Sequence, residues 1–426
     1  MVGYVTSVRT FGRDVVLYLL AWGGVSFGYG GVQAVLLNLY LLRLGYGPEF
    51  IGLLIGSGQL VWALLALPAG ALGARLGLRR AMQGGVVLIA VANVLLLSAE
   101  ALPAAWRSAW LVGSWMLEWV GAALWVVNGV PYLMAATTDA GRGHAFAVQQ
   151  AIIAVAAFAG SVVAGWLPGV IAAQMGATDA AAAPYRYALW AAPAAFVVAG
   201  LLLGGMRRVE PVTVAAPGPS TSRAPLALLG SVGLLVFLQT LGDGAGRSFF
   251  NIYLDDGLGV GTALIGALAG IAQLLPVAAA LAAPLLFRRA GVPGTFRLSL
   301  LVLICSLVVL GLVPNRWAAS AALMGVMASA AVSGPARAIL SQAAVAPSER
   351  GAMSAMVTMG TGLGWAATAS AGGLIIARAG YSSLFVLGAL CVVAALGLFL
   401  AFCRLGRALR GGGALCDLYL GRERAP

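Results

Sequence analysis

Hydrophobic residues in this chain neither alternate nor recur on a single helical face. They run on for twenty or more positions at a time, broken by short clusters of Gly, Pro and charged residues. A helix rises about 1.5 Å per residue and the hydrocarbon core of a bilayer is about 30 Å thick, so about 20 apolar residues cross it. Twelve such runs are present, at roughly 15–43, 50–73, 79–99, 107–136, 144–173 and 184–206, then 226–254, 262–287, 295–314, 317–344, 351–378 and 382–404. Breaks such as Tyr46-Gly47-Pro48-Glu49 and Val292-Pro293-Gly294 separate neighbours. Arg9 and Arg13 precede the first run, which is too long for a signal-peptide core and is read as an uncleaved span. The stretch Met206 to Pro225 is polar and rich in Pro and Ser, which predicts a flexible linker. The expected organisation is a six-helix half over 1–206, a linker over 207–225, a second six-helix half over 226–406 and a tail over 407–426.

The two halves carry a repeat. Residues 51–77 align without gaps on 265–291, with Gly52/Gly266, Gly56/Gly270, Gln59/Gln273, Arg75/Arg289 and Gly77/Gly291 identical. Upstream, Asn38-Leu39-Tyr40 matches Asn251-Ile252-Tyr253, and Arg142-Gly143 is echoed by Arg350-Gly351. Six spans return the chain to its starting side, so the repeat is parallel. The predicted fold class is an all-α membrane protein, with twelve transmembrane helices in two parallel-repeat six-helix bundles.

Composition agrees with lipid as the solvent. Of 426 residues, 61% are hydrophobic and 9% charged, against about a quarter charged in soluble domains. The net charge is +12, carried entirely by Arg, but these residues lie singly or in pairs between apolar runs, so a nucleic-acid partner is not expected. With the N-terminus inside, eighteen Arg fall in inside segments and five (Arg43, Arg107, Arg186, Arg316, Arg378) outside. That asymmetry places both termini in the cytoplasm. The cysteines Cys305, Cys391, Cys403 and Cys416 and the single His144 show no ligand spacing, so neither a metal site nor a cofactor is expected. Gly360-x-Gly362-x-Gly364 precedes Trp365 and Ala366 and lacks the Lys and Ser/Thr of a phosphate loop. It and Gly52-x-x-x-Gly56 predict close helix contacts.

Twelve spans, a central polar linker and a parallel six-plus-six repeat resemble the major facilitator superfamily. Gly70-Ala71-Leu72-Gly73-Ala74-Arg75-Leu76-Gly77-Leu78-Arg79-Arg80 is similar to that family's loop after span 2, Gly-x-x-x-Asp-Arg-x-Gly-Arg-Arg. Gly70, Arg75, Gly77, Arg79 and Arg80 match, and Ala74 stands where the family has its acid. The resemblance implies a gating loop here, without the carboxylate that helps lock the cytoplasmic side. Span 4 has Leu117 rather than Arg four residues before Gly121, and span 5 has Gly160 and Gly165 without the antiporter Gly-Pro-x-x-Gly-Gly ending. The resemblance further implies that spans 1, 4, 7 and 10 line a central cavity.

Two acids lie within expected cavity spans, Glu118 in span 4 and Asp243 in span 7. A charge in the bilayer costs several kcal/mol, so each asks for a reason. Both are proton-coupling candidates; the alternative is a paired structural charge. Arg247 lies one turn beyond Asp243, which predicts an intrahelical ion pair, with anion recognition as the other role for Arg247. Arg337 is expected to snorkel toward the interface. Tyr29, Gln33, Asn38, Asn128 and Asn251 are further cavity candidates, though neutral polar groups also bond neighbouring helices. Gln59 and Gln273 are expected to be structural, at the interface between halves.

These features predict secondary active transport of a small molecule by alternating access, not enzymic catalysis. Proton-coupled efflux of amphiphilic or aromatic compounds is the first expectation, and uptake of a sugar or other metabolite the second. A non-transporting sensor or a membrane-embedded enzyme is the alternative of another class. The expected setting is the plasma membrane of a bacterium or archaeon, an inner membrane with the bilayer as partner and the chain as a monomer. Reporters fused after Arg424 or within the linker should read as cytoplasmic, and one beside Asp255-Asp256 as external. A reversed pattern contradicts the Arg asymmetry.

Overall fold

The computed structural model describes residues 11–178, 181–207, 226–345 and 349–409. Most of the expected linker and tail lie outside them. Hydrocarbon offers no hydrogen bond to a backbone amide, so an apolar run crosses it as a helix that satisfies its own N–H and C=O groups. The described helices follow that rule. In the first half they are α1 (Arg13–Arg43), α2 (Pro48–Leu76), α3 (Leu78–Leu97), α4 (Ala104–Ala136), α5 (Asp139–Met175) and α6 (Ala182–Gly204, interrupted at Trp190). In the second half α7 covers Ala227–Gly257 and α10 covers Arg316–Ala343. The helical stretch Thr262–Leu312 divides at Gly291 into α8 (262–290) and α9 (292–312). Arg350–Leu409 divides at Gly380 into α11 (350–379) and α12 (381–409). Each expected span is present, with ends shifted by a few residues.

Two tight reversals use glycine for its backbone. Gly77 turns α2 into α3 with φ 88° and ψ 139°, and Gly291 turns α8 into α9 with φ 68° and ψ 168°. Side chains other than glycine rarely adopt such positive φ. These two glycines are equivalent in the sequence repeat, so the repeat extends to backbone geometry. The pattern of apolar residues gave no sign of two π-helical turns, Ser26–Gln33 in α1 and Tyr253–Gly257 at the end of α7. Such turns are rare and concentrate at functional sites.

The chain forms two compact units, one of residues 1–214 with 259–274 and one of 215–258 with 275–426. The start of α8 therefore packs with the helices of the first half. Gln273 donates to the carbonyl of Gly30, inside the π turn of α1, at 3.0 Å. A Cβ on Gly266 would stand 2.5 Å from the Cα of Gly165 on α5. Within the second unit α7 packs on α11, where a Cβ on Gly360 would lie 2.6 Å from the carbonyl of Gly233.

One close contact bearing on the site is between α3 and α4. A Cβ on Gly121 would meet the Gly85 carbonyl and lie 2.9 Å from the Ile89 nitrogen, both backbone atoms that cannot rotate away. Gly121→Ala should therefore destabilise the protein by about 1–3 kcal/mol through overpacking. Gly84→Ala should be neutral or slightly stabilising, since its Cβ would meet nothing within 4 Å. Thermal unfolding in detergent, followed by tryptophan fluorescence, compares the two.

Candidate functional site

The π turn of α1 ends at Gln33, a buried residue in contact with two other helices. Its Nε2 donates to Asn93 Oδ1 on α3 at 2.7 Å and to Glu118 Oε2 on α4 at 3.0 Å. Asn93 Nδ2 donates to the Ile89 carbonyl at 3.0 Å, which fixes the amide so that its oxygen faces Gln33. Glu118 is 1% exposed. Its Oε1 and the Oε1 of Gln33 have no hydrogen-bond partner. Among the described residues no charged side chain acts on Glu118; its polar neighbours are Gln33 and Asn93.

Aromatic rings cluster around Trp119, the residue that follows Glu118 on α4. Trp119, next in sequence, takes Tyr29 edge-on at 5.9 Å, Trp62 of α2 at 5.9 Å and Trp115 at 6.1 Å between ring centroids. The indole N–H groups of Trp115 and Trp119 are buried without partners. Gly58 on α2 leaves room for these rings, because a Cβ there would run into both indoles. Toward the other end of α4, Tyr18 lies between Trp125 (5.9 Å) and Tyr132 (5.6 Å) and donates to the Gly129 carbonyl at 2.9 Å.

Four helices thus place one carboxylate, two amides and a ring of aromatics together. Such an arrangement can hold a proton or a ligand that satisfies its open oxygens. Of the expected cavity residues, Gln33 and Tyr29 join Glu118. Asn128 does not: its Nδ2 donates to the Ala69 and Leu124 carbonyls at 3.1 and 2.9 Å, which ties α4 to α2. Asn38 and Asn251, matched in the repeat, are both half-buried. Asn93, Trp62 and Trp119 were not singled out from sequence. Trp115, Glu118 and Trp119 stand at i, i+3 and i+4, one face of a helix, which was the available signal. Asn93 was visible as the one amide in the apolar run 84–97.

A family model described as Major Facilitator Superfamily matches residues 15–344. The chain belongs to that superfamily. Crystal structures of superfamily transporters have the same fold. A mutant of the nucleoside transporter NupG is 13% identical over 92% of this chain and 99% of its own, with a TM-score of 0.69. A bacterial homologue of the human lysosomal transporter Spinster, inward-facing and occupied, is 17% identical over 92% and 97%, with a TM-score of 0.70. A D-xylose–proton symporter is 16% identical over 90% and 96%, also with a TM-score of 0.70. No curated protein sequence matches the chain.

In this superfamily member the second unit holds a polar group of its own. Asp243 is 8% exposed and its Oδ1 has no hydrogen-bond partner. Arg247 and Arg337 both act on it electrostatically. The expected ion pair does not close, because the Arg247 guanidinium lies over the Trp365 ring of α11, 5.2 Å from its centroid. A planar cation on an indole face keeps an attractive partner without a carboxylate. Arg337 does not reach out to an interface; it donates to Gln239 Oε1 on α7 at 3.4 Å, and Gln239 donates to Ser333 at 2.9 Å.

The superfamily loop divides its labour. Arg75 and Arg80 are exposed, whereas Arg79 donates from Nε to the Leu203 carbonyl at 3.1 Å and from Nη2 to the Gly204 carbonyl. A cation on the last carbonyls of α6 adds to the turn bond that Met206 N–H gives the Leu203 carbonyl and opposes the negative end of the helix dipole. Arg79→Ala should destabilise the fold by about 1–3 kcal/mol, and Arg75→Ala by less than about 0.5 kcal/mol. Thermal unfolding of the two variants side by side reads the difference.

Proposed function

We propose that this superfamily member is a proton-coupled secondary transporter that exports small amphiphilic or aromatic compounds by alternating access. Glu118 is the coupling acid, and Tyr29, Gln33 and the surrounding rings receive the solute. The proposed frame is 1–206 and 226–406 as halves joined by a linker, with both termini cytoplasmic and the chain working as a monomer in a bacterial or archaeal inner membrane.

One observation carries this reading: a fully buried carboxylate with only the Gln33 and Asn93 amides as polar neighbours, one open oxygen and, among the described residues, no cation beside it. An ionised group so placed is penalised by several kcal/mol unless positive charge joins it. A proton supplies that charge, and loading and release from alternate sides couples its gradient to solute movement. Asp243 is the lesser candidate, because Arg247 and Arg337 already act on it. A proton symporter among the structural neighbours is compatible with proton coupling in this fold. The aromatic lining favours a flat or amphiphilic solute over a sugar.

Gln mimics a protonated glutamate but cannot release the proton. In proteoliposomes Glu118→Gln should abolish uphill, pH-gradient-driven accumulation of an aromatic solute while leaving solute exchange within about threefold of wild type. Asp243→Asn should retain uphill transport. Uphill transport by Glu118→Gln on a proton gradient would show that another group couples.

A further inference from the structure

Helix α8 belongs to both compact units. Residues 262–274 lie in the first and 275–290 in the second. Alternating access moves one unit against the other, so a helix shared in this way must yield to that motion at one end. The end in the first unit is seated at three points. Thr262 Oγ1 shares a hydrogen bond of 2.8 Å with the Tyr185 hydroxyl of α6, which also accepts from Arg43 of α1 at 3.3 Å. Gly266 packs on Gly165 of α5. Gln273 Nε2 donates to the Gly30 carbonyl at 3.0 Å. The first and third seats are single hydrogen bonds between neutral groups, weak enough to break and re-form during transport. Gly30 sits in the Ser26–Gln33 π turn, three residues before Gln33. Gln33 Nε2 in turn donates to Glu118 Oε2 at 3.0 Å. A hydrogen bond donated to an ionised carboxylate favours that form over the protonated one. Tyr29 of the same turn is the titratable group that acts on Glu118, beside the Gln33 and Asn93 amides.

We infer that Gln273 is a positioning residue that couples the seating of α8 to the protonation of Glu118. While Gln273 holds the Gly30 carbonyl, the π turn presents Gln33 to the carboxylate and Glu118 gives up its proton. When the start of α8 leaves its seat, the turn relaxes, Gln33 withdraws and Glu118 takes up a proton. With both termini cytoplasmic, the connection before Thr262 is external. Unseating α8 then admits a proton from outside, and reseating it sends that proton to the cytoplasm, the direction a proton-driven exporter requires. This inference rests on Glu118 being the coupling acid.

The readout is the protonated carboxyl C=O band of Glu118, followed by infrared spectroscopy against pH on the full chain in lipid. Gln273→Met keeps the length of the side chain and removes its donor. It should raise the midpoint of the band by about one pH unit, as should Gln33→Met. Both act through one hydrogen bond, so the double variant should shift no further than Gln33→Met alone, whereas independent structural losses would add. A Gln273→Met midpoint that falls, or stays within about 0.2 pH unit of wild type, overturns the inference, and so do additive shifts. A second measurement on wild type needs no variant to fold. Linkage is reciprocal, so protonating Glu118 should loosen the same contact. After correction for the intrinsic pH dependence of amide exchange, peptides covering 26–33 and 262–273 should exchange about tenfold faster below the midpoint of the band than above it. In Glu118→Gln they should exchange at the faster rate at both pH values. If pH leaves either segment unchanged in wild type, the inference is overturned. The two readings fail separately. No titrating band in wild type removes Glu118 as the coupling acid. A titrating band that Gln273→Met leaves in place keeps Glu118 and removes only the role of Gln273.

Discussion

The hydrocarbon interior supplies no hydrogen bonds, and every polar group placed there must find its partner within the protein. Most do. Tyr18 reaches the Gly129 carbonyl, Asn128 the Ala69 carbonyl, Gln273 the Gly30 carbonyl and Ser329 the Ser299 carbonyl. Each of these bonds ties one helix to another. Against that background, Glu118 Oε1 and Asp243 Oδ1 are exceptions that demand an explanation. At Asp243 two arginines answer part of the demand. At Glu118 nothing among the described residues does, and there the energetics point to an exchangeable positive charge.

The same constraint explains why backbone irregularity gathers around the site. Helices approach closely where glycine replaces a side chain, as Gly121 does against Gly85 and Gly31 against Gly160. The Gly-rich Ser26–Gln33 segment winds as a π turn and carries both Tyr29 and Gln33. Gln273, from the start of α8, then bonds a carbonyl within that turn. The first unit thus holds its site with a segment drawn from the second half of the sequence. Rigid support of this kind is what a site needs if solute and proton are to bind it in turn.

Much of the fold was readable from residues alone because its signals are redundant. Each span announces itself through some twenty apolar positions, and Gly77 and Gly291 could be matched before their shared positive φ was visible. The site was readable only in part. Glu118 stood out because a carboxylate in an apolar run is expensive. Gln33 and Tyr29 were selected through the resemblance, which assigns cavity roles to whole helices. Asn93 and Trp62 lie on α3 and α2, and only their three-dimensional placement brings Asn93 to Gln33 and Glu118 and Trp62 to Trp119. Arg247 acts on Asp243 without closing a direct contact, for a related reason. Spacing along α7 allows the pair, but it cannot register that α11 offers Trp365 as a competing partner.

The central claim is that Glu118 takes up and releases a proton from within the bilayer-embedded bundle. Infrared difference spectroscopy reads this at the carboxyl group itself. A pH step on wild-type protein in lipid should show a protonated carboxyl C=O band that disappears as pH rises and returns as it falls. That band should be absent from the Glu118→Gln difference spectrum. The same reversible band persisting in Glu118→Gln, or no such band in wild type, would contradict the account.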